Sequence, residues 1–382
     1  WSSMPAMPVL SPTTGCCSTR ESAWTTATAS ASARPSAASS GRAWRPSSAP
    51  GSNATCPPSN FTISTAVQPN WGSRRHSERR RGMSRFTRFA SGAAATMLLA
   101  SCGGGGGGGS VGSTPTPVYT YKTLDQLSGD QTFQSGGIAG QPASDGRLVQ
   151  TTKPFGQGIE IKYFAASDTY NLNDGAGLVA EFAPADVRVV DEAAGAVQYQ
   201  KVVGSDLNVL TLINPRLNGV PLSYTTIGSW LHLSPSAAAT RFYLMVGGVP
   251  TQAGDVPRSG SATYTTAVGG GGTFNGTNYN FSANSTGTFS ANFANNTVST
   301  SVHLSGLPNG TTVGTPFDAG TYNGTGNISS TGPGFTGTLT GTAANGAFSG
   351  AFFGPRATEF GYAFYLDGTG TQIQGTMVGK KN

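Results

Sequence analysis

The 382-residue sequence is poor in charge: Asp, Glu, Lys and Arg make up 10 % of it, against about 25 % in an average globular protein. That shortage excludes a charge-laced helical bundle or coiled coil. Cysteine is scarce, at 4 residues, and histidine scarcer, at 3, which leaves little material for a metal or thiol centre. No apolar run approaches the ~20 residues that a membrane-spanning helix needs. Glycine is abundant instead, with 55 residues beside 23 prolines, and this is the composition of a turn-rich chain.

The net charge of +6 is unevenly spread. Residues 1–82 carry nine Arg, no Lys and only Glu21 and Glu78, whereas residues 102–382 carry twelve basic and fifteen acidic side chains. The part that can fold is thus mildly acidic, and no nucleic-acid partner is expected. In residues 1–82 Val, Ile, Leu, Met and Phe number seven, too few to offset an ordering cost of about 1–2 kcal/mol per residue. The segment reads as disordered, or as a spurious upstream extension of a protein that starts at Met83. Cys16, Cys17 and Cys56 fall within it and receive no role. The Arg74, Arg75, Arg79, Arg80 and Arg81 tract has no interleaved aromatics and no scaffold.

Residues 83–101 have the layout of a secretory signal: Arg85 and Arg88, then the apolar stretch Ala93–Ala100. It ends Leu99-Ala100-Ser101-Cys102, which resembles the bacterial lipobox, and Cys102 is the lone cysteine after Met83. The expectation is lipidation of Cys102 and, with Gly103 rather than Asp following it, anchoring to the outer membrane. Residues 102–117, with seven glycines at Gly103–Gly109, read as a tether. Its glycines match G-x-S-x-G and G-x-G-x-x-G by accident. No strand-to-helix turn surrounds them, so neither motif is accepted.

Beyond Pro117 the chain alternates with period two, as in Leu207–Ile213 and Tyr224–Leu233, and shows no helical stripe. Five Asn-Gly pairs (Asn218-Gly219, Asn275-Gly276, Asn309-Gly310, Asn323-Gly324, Asn345-Gly346) suggest type I′ hairpins. From Ser261 nine strand candidates follow: 261–268, 273–281, 286–294, 297–304, 320–328, 334–342, 346–353, 358–366 and 371–379. The expected fold is all-β, with an eight-stranded antiparallel barrel over 257–382 and a β-rich handle-like domain over 118–256. Closure is expected between the first and last strands, with nothing upstream of Pro257 required. Aromatic girdles of a membrane-spanning barrel are missing from these strands.

Pro257-Arg258-Ser259-Gly260-Ser261-Ala262-Thr263-Tyr264 resembles the first barrel strand of the transferrin-binding protein B-like family. Ala291-Asn292-Phe293 with Asn296-Thr297-Val298-Ser299 is similar to its next hairpin. Gly350-Ala351-Phe352-Phe353-Gly354-Pro355-Arg356-Ala357-Thr358-Glu359-Phe360-Gly361 is similar to that family's Gly-Pro turn, apart from Tyr362 where a second Gly is usual. Gln374–Lys380 resembles the closing strand, and Tyr224–Trp230 the handle. The resemblance implies a surface-exposed outer-membrane lipoprotein that binds a host or environmental protein or a small solute. It does not imply transferrin, whose binders are usually two-lobed. A structural envelope lipoprotein or adhesin without soluble ligand is the alternative.

No enzyme is expected. Glu359, the acid of the Gly-Pro motif, has no second carboxylate at strand spacing and needs a partner such as Arg356 or backbone donors. His232 and His303 read as half-exposed strand residues. No cofactor is assigned, although relatives of the family include haem carriers, which keeps one histidine open as an axial ligand. Asp168, Asn171, Asn173 and Asp174 precede Gly175 and Gly177, but their spacing departs from a calcium loop.

Overall fold

The computed structural model describes residues 117–311 and 313–382. Cys102, the expected signal, the expected tether up to residue 116 and residues 1–82, read as disordered or spurious, lie outside the described residues. In the amino-terminal part the strands are β1 (Gln131–Phe133), β2 (Gly136–Pro142), β3 (Leu148–Lys153), β4 (Glu160–Phe164), β5 (Thr169–Asn173) and β6 (Val179–Phe182). They continue with β7 (Val187–Asp191), β8 (Ala196–Val203), β9 (Asp206–Ile213), β10 (Arg216–Leu217), β11 (Val220–Pro221), β12 (Thr225–Leu233) and β13 (Arg241–Gly248). The carboxy-terminal part holds β14 (Ser261–Phe274), β15 (Thr277–Phe281), β16 (Thr286–Asn292), β17 (Thr297–Pro308) and β18 (Phe317–Ile328). It ends with β19 (Gly334–Thr340), β20 (Asn345–Phe353), β21 (Glu359–Gly368) and β22 (Thr371–Lys381). Helix among the described residues is limited to short 3-10 turns.

The first group builds a seven-stranded sheet in the order β3-β2-β13-β12-β9-β8-β7 and a four-stranded sheet β1-β4-β5-β6. β13 reads Phe-Tyr-Leu-Met-Val without alternation because both of its faces are covered. Tyr243 and Met245, with Trp230 and Leu210, pack against Ile161, Leu172 and Phe182 of the smaller sheet. Phe242, Leu244 and Val246 face the other way, onto Ala351, Phe353, Ala363 and Val378 of the carboxy-terminal strands.

The second group pairs in a ring: β14-β16-β17-β18-β19-β20-β21-β22, and β22 pairs with β14 again. That final pairing runs from Tyr264↔Lys381 to Phe274↔Thr371, so β14 reaches beyond the sequence candidate 261–268. Candidate 273–281 is the end of β14, a turn and β15. β15 and β16 lie in line between β14 and β17, broken where Ser282 and Ser285 bond the backbone of Ser305. Nine candidates therefore fill eight ring positions.

Asn275-Gly276 and Asn218-Gly219 are the hairpin turns expected, with φ of 48° and 79° and of 50° and 82°. Asn323-Gly324 and Asn345-Gly346 sit inside or at the start of strands instead. Gly324 points into the crowded interior, where a Cβ would meet Leu339 at 2.8 Å and the Thr338 carbonyl at 2.6 Å. Its glycine answers to packing, not to a turn.

The ring has two ends. The near end carries residues 257–260, 293–296, 329–333 and 354–358. The far end carries the turns at 275–276, 341–344 and 369–370 and the loop between β17 and β18. The first described residues lie at the near end: Tyr121 donates to Asp255 (2.8 Å), and Asp255 accepts the Arg356 amide (2.9 Å).

Candidate binding surface

The ring interior is filled with aromatic rings. Phe289 stacks on Phe360 at 3.8 Å between centroids, and Phe335, Phe348, Phe352, Phe364 and Tyr362 complete the packing. Tyr362, in place of the usual glycine, is fully buried, and its hydroxyl lies 2.8 Å from Thr300 Oγ1. Its phenol is held above its ordinary value by burial, against the opposing Thr300 hydrogen bond. Small cavities among the described residues include one of about 20 Å³ beside Phe274, Tyr279 and Phe317 and one of about 10 Å³ beside Ile138 and Met245. Each has room for about one water. The outward positions of β17 to β19 are polar, with Ser299, Thr321, Asn323, Thr325, Asn327, Thr338 and Thr340 exposed. An apolar outer band, as on a membrane-spanning barrel, is not present on this wall.

Glu359 is 1 % exposed and sits where the ring meets the seven-stranded sheet. Its carboxylate accepts from the amides of Ser223 (2.8 Å) and Tyr224 (2.9 Å) and from the Thr225 hydroxyl (3.0 Å). The partners are therefore backbone donors upstream, and Arg356 contributes only its own amide to Asp255. Gly354 (φ 69°) opens the turn, and Arg356 and Ala357 both adopt left-handed φ, 51° and 58°. Two non-glycine residues in that region cost about 1–2 kcal/mol each, so packing at the near end must hold them there.

The other polar candidates are built into the fold. His232 is buried, contrary to the half-exposed expectation, because β12 is covered on both faces. Its Nδ1 lies 3.0 Å from Asn208 Oδ1, which also accepts from Trp230. His303 is half-exposed on β17, 3.2 Å from the Thr321 hydroxyl. The two histidines stand in different sheets, and neither lines the two cavities described above. Asp168 accepts from Tyr163, and Asn173 caps Gly175. Asp174 accepts from the Ala176 and Leu178 amides and from Tyr243 at 2.7 Å. Burial opposes its ionisation, but these donors and Lys153 prevail and hold the carboxyl below its ordinary value. The group closes a loop rather than facing a cation, and among the described residues no cluster of three potential metal ligands occurs.

What remains open is a sheet edge. Among the described residues β7 pairs only with β8 and ends the seven-stranded sheet. Val187, Val189 and Val190 on it, Val202 and Val203 on β8, and Val179 on β6 are exposed. Arg188 and the register shift between Val187 and Val189 are ordinary guards of a free edge; the valines are not. Beside them runs a row of rings, Tyr163 to Tyr170 at 5.0 Å and Tyr170 to Tyr199 at 5.7 Å. Composition gave no signal for this edge, because single exposed valines are common and only the pairing order shows which strand is left with one neighbour.

No protein-family model matches the chain, and a search of curated proteins returns no match. Among solved structures it is similar to a transferrin-binding protein B double mutant from Haemophilus parasuis Hp5. That match has 13 % identity and TM-score 0.40, and covers 64 % of this chain and 44 % of that one. It is also similar to transferrin-binding protein B of serogroup B Neisseria meningitidis, at 15 % identity and TM-score 0.33, covering 65 % of this chain and 63 % of that one. A third is the N-lobe domain of lactoferrin binding protein B of Moraxella bovis, at 11 % identity and TM-score 0.28, covering 67 % and 100 %. This chain thus spans less than two thirds of the first of these structures, and the likeness to all three is one of fold.

Proposed function

We propose that the chain is an outer-membrane lipoprotein, anchored through Cys102, that binds a protein partner on its outer surface. The filled interior carries this choice of partner, because the ring offers a small solute no chamber. The exposed valines of β7 and β8 favour a protein over a solute: a free edge with apolar side chains accepts an extended segment as an added strand. The structural-lipoprotein alternative differs in having no partner at that edge.

Two measurements test this. Radiolabelled fatty acid should enter the wild-type protein and not Cys102→Ala, and Cys102→Ala should leave the membrane fraction. Captured proteins should then be compared between wild type and Val189→Asp/Val190→Asp. A species retained by wild type alone supports the reading. Identical captures, or normal secretion without lipid label, overturn it.

A further inference from the structure

Residues 257–382 contain four cations: Arg258, Arg356, Lys380 and Lys381. All four stand at the near end of the ring. Of the three acids in the same stretch, Asp318 and Asp367 stand at the far end, and Glu359 is buried against Ser223 and Tyr224. The wall between is free of Asp, Glu, Lys and Arg. The ring is therefore electrically polar along its axis while nearly neutral in sum.

The geometry points to the near end as a surface that rests on a layer of anionic lipid headgroups. Arg356 is exposed on its left-handed turn, and neither its guanidinium nor the Lys380 ammonium has a protein partner among the described residues. Arg258 is fixed in place by neutral acceptors, Asn296 Oδ1 (3.3 Å) and the carbonyls of Ser329 (3.2 Å) and Ser330 (3.1 Å), so its charge is not cancelled. Lys381 lies 5.7 Å above the Phe293 ring. Asp255 accepts from Tyr121 and from the Arg356 amide, neutral donors that leave its own charge in place, so it and exposed Asp125 offset part of the positive charge and leave an excess of cations at this end. Exposed Lys122 follows Tyr121 directly and adds a fifth cation.

Attraction to an anionic surface decays within about 10 Å, so cations gathered at one end act together where scattered ones would not. The near end is also where the chain arrives from the direction of Cys102. The inference rests on the tethered-lipoprotein reading for its setting only.

The test uses the full chain with Cys16, Cys17, Cys56 and Cys102 replaced by Ser, which removes any lipid. A nitroxide is placed at Ser330→Cys or Thr369→Cys, and the protein is mixed with phosphatidylglycerol or phosphatidylcholine vesicles. On phosphatidylglycerol, a lipid-bound relaxation agent should act on the label at 330 and not on that at 369. Replacing Arg258, Arg356, Lys380 and Lys381 by Gln should lower the bound fraction by about tenfold or more. Replacing Lys153, Lys162, Arg188 and Lys201 by Gln should change it by less than about twofold. The upstream arginines are common to both variants and cancel. Arg356→Gln/Lys380→Gln, which leaves the Arg258 bonds intact, should show an intermediate loss. A label at 369 equally close to lipid, equal losses in the two variants, or no binding to phosphatidylglycerol overturns the inference. Failure of lipid labelling at Cys102 would overturn the anchor and leave this result standing.

Discussion

Gln372 holds the backbone of Leu148 with both ends of its amide: it donates to the Leu148 carbonyl (2.9 Å) and accepts from the Leu148 amide (3.1 Å). A side chain on β22 thereby imitates a strand partner for β3, the outer strand of the seven-stranded sheet. Beside it Arg147 pairs with Asp367, but both side chains are more than 40 % exposed. The two contacts look alike in a contact map and differ in worth.

Gln372→Ala should therefore cost about 1–2 kcal/mol, two modest hydrogen bonds lost at a half-buried site. Arg147→Ala should cost less than about 1 kcal/mol, as for exposed ion pairs. Urea titrations of both variants give the ranking, and the opposite order would refute it.

Glu359→Ala leaves two amides and a hydroxyl without an acceptor at a buried junction. A loss of about 3 kcal/mol or more is expected. Glu359→Gln keeps one acceptor and turns a donor toward the other amide, so it should fall between wild type and Ala. Denaturant midpoints at neutral pH decide this.

Phe289→Ala empties the centre of the ring, where Phe289 and Phe360 stack. The expected cost is about 3–5 kcal/mol, which in a domain of this size lowers Tm by about 10 °C. A calorimetric shift of only a degree or two would show that the interior is loosely packed.

The tyrosines set an alkaline limit. Burial, aided by Asp168, pushes the Tyr163 phenol up to about 12, and burial foremost does the same for Tyr199, also to about 12. Tyr170, Tyr264 and Tyr362 are raised further, again by burial first. A raised phenol contributes stability that is complete below about 10, the unfolded value, and is lost as pH climbs through the folded values. Stability should thus decline between about pH 10 and 12, with tyrosinate absorbance and loss of near-ultraviolet dichroism rising together. Asp174 acts at the other extreme. Its lowered carboxyl contributes stability above about 4 that is lost as pH falls further, and Asp174→Asn should remove that part of the acid sensitivity.

The ring was legible because its pattern is local. Alternation places β17 to β22 within a few residues, and Asn275-Gly276 and Asn218-Gly219 turn where such pairs should. Asn323-Gly324 misleads because glycine serves two masters, and only packing across the ring shows which one rules. His232 reads as half-exposed until a second sheet covers β12. Glu359 could be recognised as needing donors, but not which ones, since Ser223 and Tyr224 lie more than 130 residues away. The valine edge depends on strand order, which alternation alone does not encode.

β13 raises a question of register that hydrophobicity cannot answer. Phe242, Tyr243, Leu244, Met245 and Val246 would remain apolar on both faces after a slip of one residue. One hydroxyl breaks that degeneracy. Only in the observed alignment does Tyr243 lie 5.4 Å from Trp230 and reach Asp174 with its oxygen. A displaced Tyr243 would carry its phenol into the apolar seam against Phe353 and leave Asp174 with one donor fewer. Tyr243→Phe should accordingly cost little in compactness and more in uniqueness, allowing alternative alignments of the central strand to compete.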